Sequence, residues 1–322
     1  MSSNKRLLCL CVTGGLLAAC SEPTSPPTVT GQHDAVADAV ASVVARNTWA
    51  TVAPMPKGRA FMGASANNGL IYVAGGLGNG GGGTTSLQVY NLSTDTWSAR
   101  KNLPQPKGFS GAAFLNGKLY VTGGYSDKAL FVYNPATNSW IRKADMPEPV
   151  AYGAEVVING KLYMCGARLF RYDPGTNKWT QLASSPNRAA EAAVGVIGGR
   201  IYVAGGEEDR TSFPTKDVYM YDPATNRWQA RAPMPDYQVF PASAVIDKKL
   251  YVAGGSSCGE CAPTAGTLRV YHPVTDTWTT KASMALARQG PAGVTAQRKF
   301  YVIGGTATGV GPGVSRVEVY TP

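Results

Sequence analysis

An all-β fold, a six-bladed propeller whose last blade is closed by an N-terminal strand around Trp49, is what the sequence predicts, on three observations. A tyrosine followed seven positions later by a tryptophan recurs along the chain. A glycine pair ends a short apolar run at a fixed place ahead of most of these tyrosines. The chain stops on the first half of the tyrosine–tryptophan phrase and carries its second half near the start.

The phrase reads YNLSTDTW from Tyr90 to Trp97, YNPATNSW from Tyr133 to Trp140 and YDPGTNKW from Tyr172 to Trp179. It returns as YDPATNRW from Tyr221 to Trp228 and YHPVTDTW from Tyr271 to Trp278. Asn47-Thr48-Trp49 and Tyr320-Thr321-Pro322 are the two halves of a sixth copy. All six tryptophans fall at this point of the phrase, 48, 43, 39, 49 and 50 residues apart, a period that marks stacked or radial units.

Each unit reads as four strands. The first is rich in small residues, as in GAAFLNG, and ends in an Asn-Gly or Gly-Gly turn, a strong hairpin signal. The second is the apolar run to the glycine pair: Gly75-Gly76, Gly123-Gly124, Gly205-Gly206, Gly254-Gly255 and Gly304-Gly305. The third unit departs from this, with KLYMCGA placing Cys165-Gly166 there. The third strand ends on the tyrosine and the fourth begins at the tryptophan. Between them, Asn/Asp-Pro-x-Thr-Asx is turn chemistry, since proline presets φ and the Asx and Thr side chains bond nearby backbone. Glycine ending the second strand has no Cβ, so backbone and a large ring can approach it closely. Sheets repeated radially in this way leave only short, protected edges.

These residues resemble the kelch repeat, a glycine pair after four apolar residues followed by a spaced tyrosine and tryptophan. The resemblance covers residues 47 to 322 and implies a six-bladed ring with one blade shared by both chain ends.

Residues 1–19 read as a signal peptide: Lys5 and Arg6 precede an apolar stretch too short to span a bilayer. Leu17-Ala18-Ala19-Cys20 resembles the bacterial lipobox, which implies acylation at Cys20 and export to the cell envelope. Residues 20–46 are the lipidated cysteine and a tether, Ser/Pro/Thr-rich at first, with Val36, Val40, Val43 and Val44 at helical spacing. The net charge of +10 becomes +8 when Lys5 and Arg6 leave with the signal (10 − 2). That favours anionic partners in general. The charges are dispersed and no nucleic-acid motif is present, so nucleic acid is not expected.

Cys9 and Cys11 leave with the signal. Cys258 and Cys261, in the loop after the fifth glycine pair, read as a disulfide staple or as free thiols. No metal or other cofactor is expected. The two histidines, His33 and His272, cannot supply the ligands of the copper enzymes built on kelch rings, and His272 reads as a turn residue. Ser93 to Trp97 is only superficially similar to the repeated mark of six-bladed sialidases.

In an up-and-down blade, the loops between strands two and three share a face with the connections between blades. The long ones, 77–87, 207–218, 256–268 and 306–317, therefore crowd one face, and binding on rigid scaffolds is disproportionately loop-borne. Arg59, Lys107 and Arg288 lie sixteen residues before a glycine pair and Arg188 seventeen. Matched spacing puts them at equivalent radii, so they are the expected contacts for an anionic ligand at the mouth of the central channel, with Tyr237 offering a ring at its edge. The alternative is that these cations belong to the repeat itself and pair with neighbouring blades.

The resulting reading is a binding module for protein or glycan, held at the membrane only by its lipid. The first alternative is a carbohydrate-active isomerase. Bacterial sialic acid mutarotases are also exported six-bladed kelch rings, and the resemblance implies Glu207 as proton acceptor and Arg210 as carboxylate partner. The second alternative is a structural envelope component. An enzyme would place Glu207 in a closed pocket beside arginines, whereas a binding module would show an open, aromatic-bearing rim.

Overall fold

The structure is a computed structural model that describes residues 46–322 except 187–188, 209–210, 212, 259–263 and 310. The signal, Cys20, the tether and its valine segment lie outside the described residues, as do Arg188, Arg210 and Cys261.

Six four-stranded antiparallel sheets follow one another, each built in chain order from the innermost strand outward. Blade 1 comprises Gly63–Asn67, Leu70–Ala74, Leu87–Asn91 and Thr96–Arg100. The innermost strands of blades 2 to 6 are Ser110–Leu115, Ala154–Ile158, Ala193–Ile197, Ala242–Ile246 and Ala292–Ala296. Each packs on the next, and the last returns to Gly63–Asn67, so the ring is closed. Blade 6 takes its outermost strand, Thr48–Val52, from the N-terminal side, with Trp49 opposite Tyr320. No described residue is helical.

The tyrosine–tryptophan phrase is a clamp between blades. Tyrosine and tryptophan face each other across the two outer strands, with ring centroids 5.1–5.2 Å apart in all six blades. The Asx residue of the turn takes two hydrogen bonds on one oxygen. One comes from the tyrosine hydroxyl, at 2.6–2.9 Å in five blades and shorter between Tyr271 and Asp276. The other comes from a backbone amide of the preceding blade, at 2.8–3.1 Å. The tryptophan N–H then donates to the carbonyl of that same residue, at 2.6–3.0 Å. In the sixth copy Asn47 accepts from Tyr320 and Ala282, and Trp49 donates to Ala282. Ring closure thus uses the same three bonds as every other joint. All six Asx residues sit at φ of 47–58°, a left-handed conformation that Asn and Asp adopt more readily than other non-glycine residues.

The glycine pair does something other than admit a ring. The amide of its second member donates across to the next connection: Gly76 to Lys107, Gly124 to Val150, Gly206 to Gln238, Gly255 to Arg288 and Gly305 to Arg59. A Cβ on the first glycine would strike the same backbone in blade after blade, 2.6 Å from the Lys107 oxygen at Gly75 and 2.4 Å from the Arg59 oxygen at Gly304. The close approach is therefore backbone to backbone. In the third blade the strand register corrects the expected placing: Cys165 matches Ala74, Gly166 takes the first glycine's place and Ala167 the second's, and the Gly166 amide donates to Arg168 just before the third strand, as Gly75 does to Ser86 and Gly304 to Arg316.

Candidate functional site

Fourteen residues before the first glycine that ends each second strand, Gly166 in blade 3, the chain enters the innermost strand through a residue with positive φ. These are Phe61, Phe109, Tyr152, Glu191, Phe240 and Gly290, with φ between 55° and 62°. Their backbones link round the channel. Phe61 donates to Gly290, Gly290 to Phe240, Phe240 to Glu191, Glu191 to Tyr152, and Phe109 to Phe61, at 2.8–3.3 Å. The result is a collar at the loop-side mouth. Only Gly290 is at ease there, because a left-handed conformation is costly for bulky side chains, on the order of 1–3 kcal/mol each.

The four aromatic rings of the collar close on one another. Centroids are 4.7 Å apart for Phe61–Phe109, 4.4 Å for Phe109–Tyr152, 5.4 Å for Tyr152–Phe240 and 5.0 Å for Phe61–Phe240. Spacing and tilt are those of favourable edge-to-face and tilted pairs. Tyr125, 70% exposed, extends this cluster outward against Phe109 and Tyr152. Phe213, also 70% exposed, and Tyr237, 46%, stand in the loops of the same face, Tyr237 with the Lys216 ammonium over its ring.

A cavity of about 190 Å³ lies at the collar and along the strand starts below it. Its ionisable lining groups are Tyr152, Glu191 and Glu155, with no basic side chain among the described residues. Glu155 stands where the other innermost strands carry Ala64, Ala112, Val194, Ser243 and Gly293. It is buried between blades 3 and 2, against Gly111, and neither carboxylate oxygen makes a hydrogen bond of good geometry. Burial pushes its carboxyl well above the usual range, and the nearby Thr122 amide and Lys107 ammonium only partly oppose this. The same burial, with Glu155 nearby, raises the Cys165 thiol and leaves it inert.

The comparisons with known proteins agree with this architecture. The family model of the KLHDC2/KLHL20/DRC7 Kelch-repeats domain matches residues 166–313, and that of the Kelch motif matches 58–104 and 106–147. A solved structure titled "Structure of YjhT" is similar at 21% identity with a TM-score of 0.73, over 84% of this chain and 97% of that one. The chain is a kelch-repeat β-propeller. No curated protein matches it by sequence.

In this kelch ring the cations expected at the mouth are withdrawn into its wall. Arg59, Lys107 and Arg288 are 2%, 2% and 0% exposed. Arg59 donates to the carbonyls of Gly75 and Ser86 and to the Gln88 side chain. Lys107 donates to the Gly123 and Ala129 carbonyls and pairs with Asp127. Arg288 donates to the Leu286 and Val302 carbonyls and pairs with the equally buried Glu318. Burial lowers all three pKa values, that of Arg59 to about 10. The sixteen-residue spacing reflects this role: Arg59 and Lys107, like Gln238, bond the carbonyl of the first glycine of their own blade's pair. Side chain and backbone of one connection thereby tie two blades together, and a ligand at the mouth meets rings instead of these three cations.

Glu207 is half-buried in a short pairing of Glu207–Glu208 with Ala189–Ala190, bridged to Pro214, and does not line the central cavity. Cys258 is exposed, and its expected partner is outside the described residues. His272, expected in the turn, instead ends the third strand of blade 5 opposite Thr277, at the turn's edge, and bonds Thr279. The sequence reading passed over the collar and Glu155. The signal that finds the collar is positional, a column fourteen residues before the first glycine of each unit.

Proposed function

We propose that this propeller is a binding module and that its loop-side mouth is the ligand-binding face. One observation carries the reading. At five of six equivalent positions a bulky residue is held in a left-handed conformation that glycine would adopt without strain, and four of the five are aromatic. Residues kept in costly conformations cluster at ligand sites, where something other than stability selects them. The exposed rings of Tyr125, Phe213 and Tyr237 widen the same surface. A set of exposed aromatic anchors on a rigid scaffold suits recognition of protein or glycan.

Export and a lipid anchor at Cys20 complete the proposal, on the strength of the signal and lipobox-like residues. The mutarotase alternative has less support, since Glu207 is held in a strand extension away from the cavity. The test uses full-length protein to recover ligand from glycan mixtures and envelope fractions. Replacing Tyr125, Phe213 and Tyr237 together by Ala should lower recovery more than tenfold, whereas Arg227→Glu in an opposite-face turn should leave it unchanged. The reverse pattern would assign the working surface to the wrong face.

A further inference from the structure

The six blades do not expose their scaffold equally. In four connections the side chain sixteen residues before the glycine pair reaches a partner at or just before its blade's third strand: Gln88 for Arg59, Asp127 for Lys107, Thr267 for Gln238 and Glu318 for Arg288. The Glu318 side chain is 1% exposed, whereas that of Asp127 is 25% exposed. The difference follows from loop length. In blade 2 only residues 124–129 separate the second strand from the third, so nothing long covers the pair. The long glycine-rich loop of blade 1 stands beside it instead. Between them lies a cleft of about 580 Å³, within the range of about 300–1,000 Å³ typical of small-ligand sites.

We propose that this cleft takes a neutral pyranose, with the Tyr125 ring as its platform and Gln105 and Asp127 as hydroxyl partners; the inference rests on the binding-module reading above. Charge decides the class. The cleft's carboxylate, Asp127, is balanced by the Lys107 ammonium behind it, which holds it ionised below the usual range against the burial that opposes this. The site is therefore close to neutral, which favours neither an anion nor a cation.

Its polar groups are preorganised for hydroxyls. Gln105 donates to Asp127 at 2.6 Å, and Asp127 also receives Lys107 and the Ala129 amide. A carboxylate has about four acceptor positions, so Asp127 keeps one for a ligand. Gln105 keeps its carbonyl oxygen and its second N–H. Tyr125 is held edge-on to Tyr152 by the collar, so its free face costs little entropy to present. The axial C–H face of a pyranose, weakly positive, lies well on such a ring while the equatorial hydroxyls reach the polar edge. Gly108 keeps the floor flat, since a Cβ there would meet the Leu77 side chain at 2.5 Å.

The test titrates full-length protein, with ¹³C-labelled aromatic rings, against methyl glucoside, galactoside, mannoside and N-acetylglucosaminide and their β-1,4-linked trimers. Glucuronate and glucosamine serve as charged counterparts. At least one neutral sugar should give saturable shifts of the Tyr125 ring, with an affinity tenfold or more above the charged ones. Tyr125→Ala and Gln105→Ala should each weaken it at least tenfold, and Arg227→Glu, on the opposite face, should leave it unchanged. Both tested side chains are partly exposed, so neither variant threatens the fold. No saturable shift with any neutral sugar, preference for a charged one, or undiminished binding by Tyr125→Ala would overturn the proposal. If the sugars fail while the triple aromatic variant still loses its recovered ligand, the binding module stands and the sugar class falls. If that variant keeps its ligand, the broader reading falls separately.

Discussion

The turn clamps on the outer strands and the collar at the channel mouth use the same backbone conformation with opposite economies. Both are sixfold, and both put one residue per blade at φ near 55°. The clamp fills that position with Asn or Asp every time, the non-glycine types that tolerate it best, and each makes the same two side-chain hydrogen bonds. The collar fills it with Phe, Phe, Tyr, Glu, Phe and Gly, and four rings converge on one point. Repetition with the cheapest residue is what a joint requires. Variation among costly residues is what a surface shaped for something else leaves behind.

The comparison can be broken most forcefully at the clamp. Deleting the chain through Ala53 removes the outer strand of blade 6, the Asn47 acceptor and Trp49 at one stroke. The ring then has an unpaired edge and lacks a large, half-buried aromatic that packs on Phe300 and Tyr320. That protein should fail to melt cooperatively in calorimetry, whereas deleting residues 21–33 should leave the melt intact. Equal melting of the two would show that closure does not depend on the shared blade.

A single joint gives the next largest effect. Asn177→Ala deprives the Tyr172 hydroxyl and the Ala144 amide of their acceptor and places alanine at φ 55°. Two lost bonds and the strained backbone together should cost about 2–3 kcal/mol by chemical denaturation. Replacing Phe109 in the collar by glycine relieves strain while removing ring contacts, so its cost should be clearly smaller. A larger cost at Phe109 would mean that the collar, too, is chiefly a joint.

These two regions also mark how far the sequence could be read. The clamp was legible because the same letters recur: tyrosine, Asx and tryptophan at fixed spacing, including the split copy at Asn47 and Tyr320. Ring closure followed from it. The collar keeps no single letter, with Phe in three blades and Tyr, Glu and Gly in the others, so its offset from the glycine at the end of each second strand is what betrays it. The placing of Arg59, Lys107 and Arg288 at the mouth failed for a different reason. Matched spacing sets the radius of a Cα but not the direction of a long side chain, and here the carbonyls of the strand ends supply partners inside the wall. Burial with hydrogen bonds outweighed exposure at the mouth, where the collar rings converge.

Glu155 gives the smallest effect and tests the collar side of the comparison, because it too breaks a column of small residues. With its folded pKa raised by burial, the native state holds the proton more tightly than the unfolded chain does. Stability should therefore be greatest below the ordinary carboxylate pKa and fall as pH rises from there toward the raised value. Lys107 is the cation facing it, while Cys165, buried nearby, stays neutral. Glu155→Gln has no proton to lose, so it should match the wild type near pH 4 and exceed it at pH 7. Each unit of pKa difference corresponds to about 1.4 kcal/mol, and each kcal/mol to about 2–4 °C in a domain of this size. Melting curves across pH 4–8 decide the matter. If Glu155 instead serves as an ionised counter-charge to Lys107, the variant will be the less stable protein at pH 7, and the carboxyl will count as part of the wall's cation network.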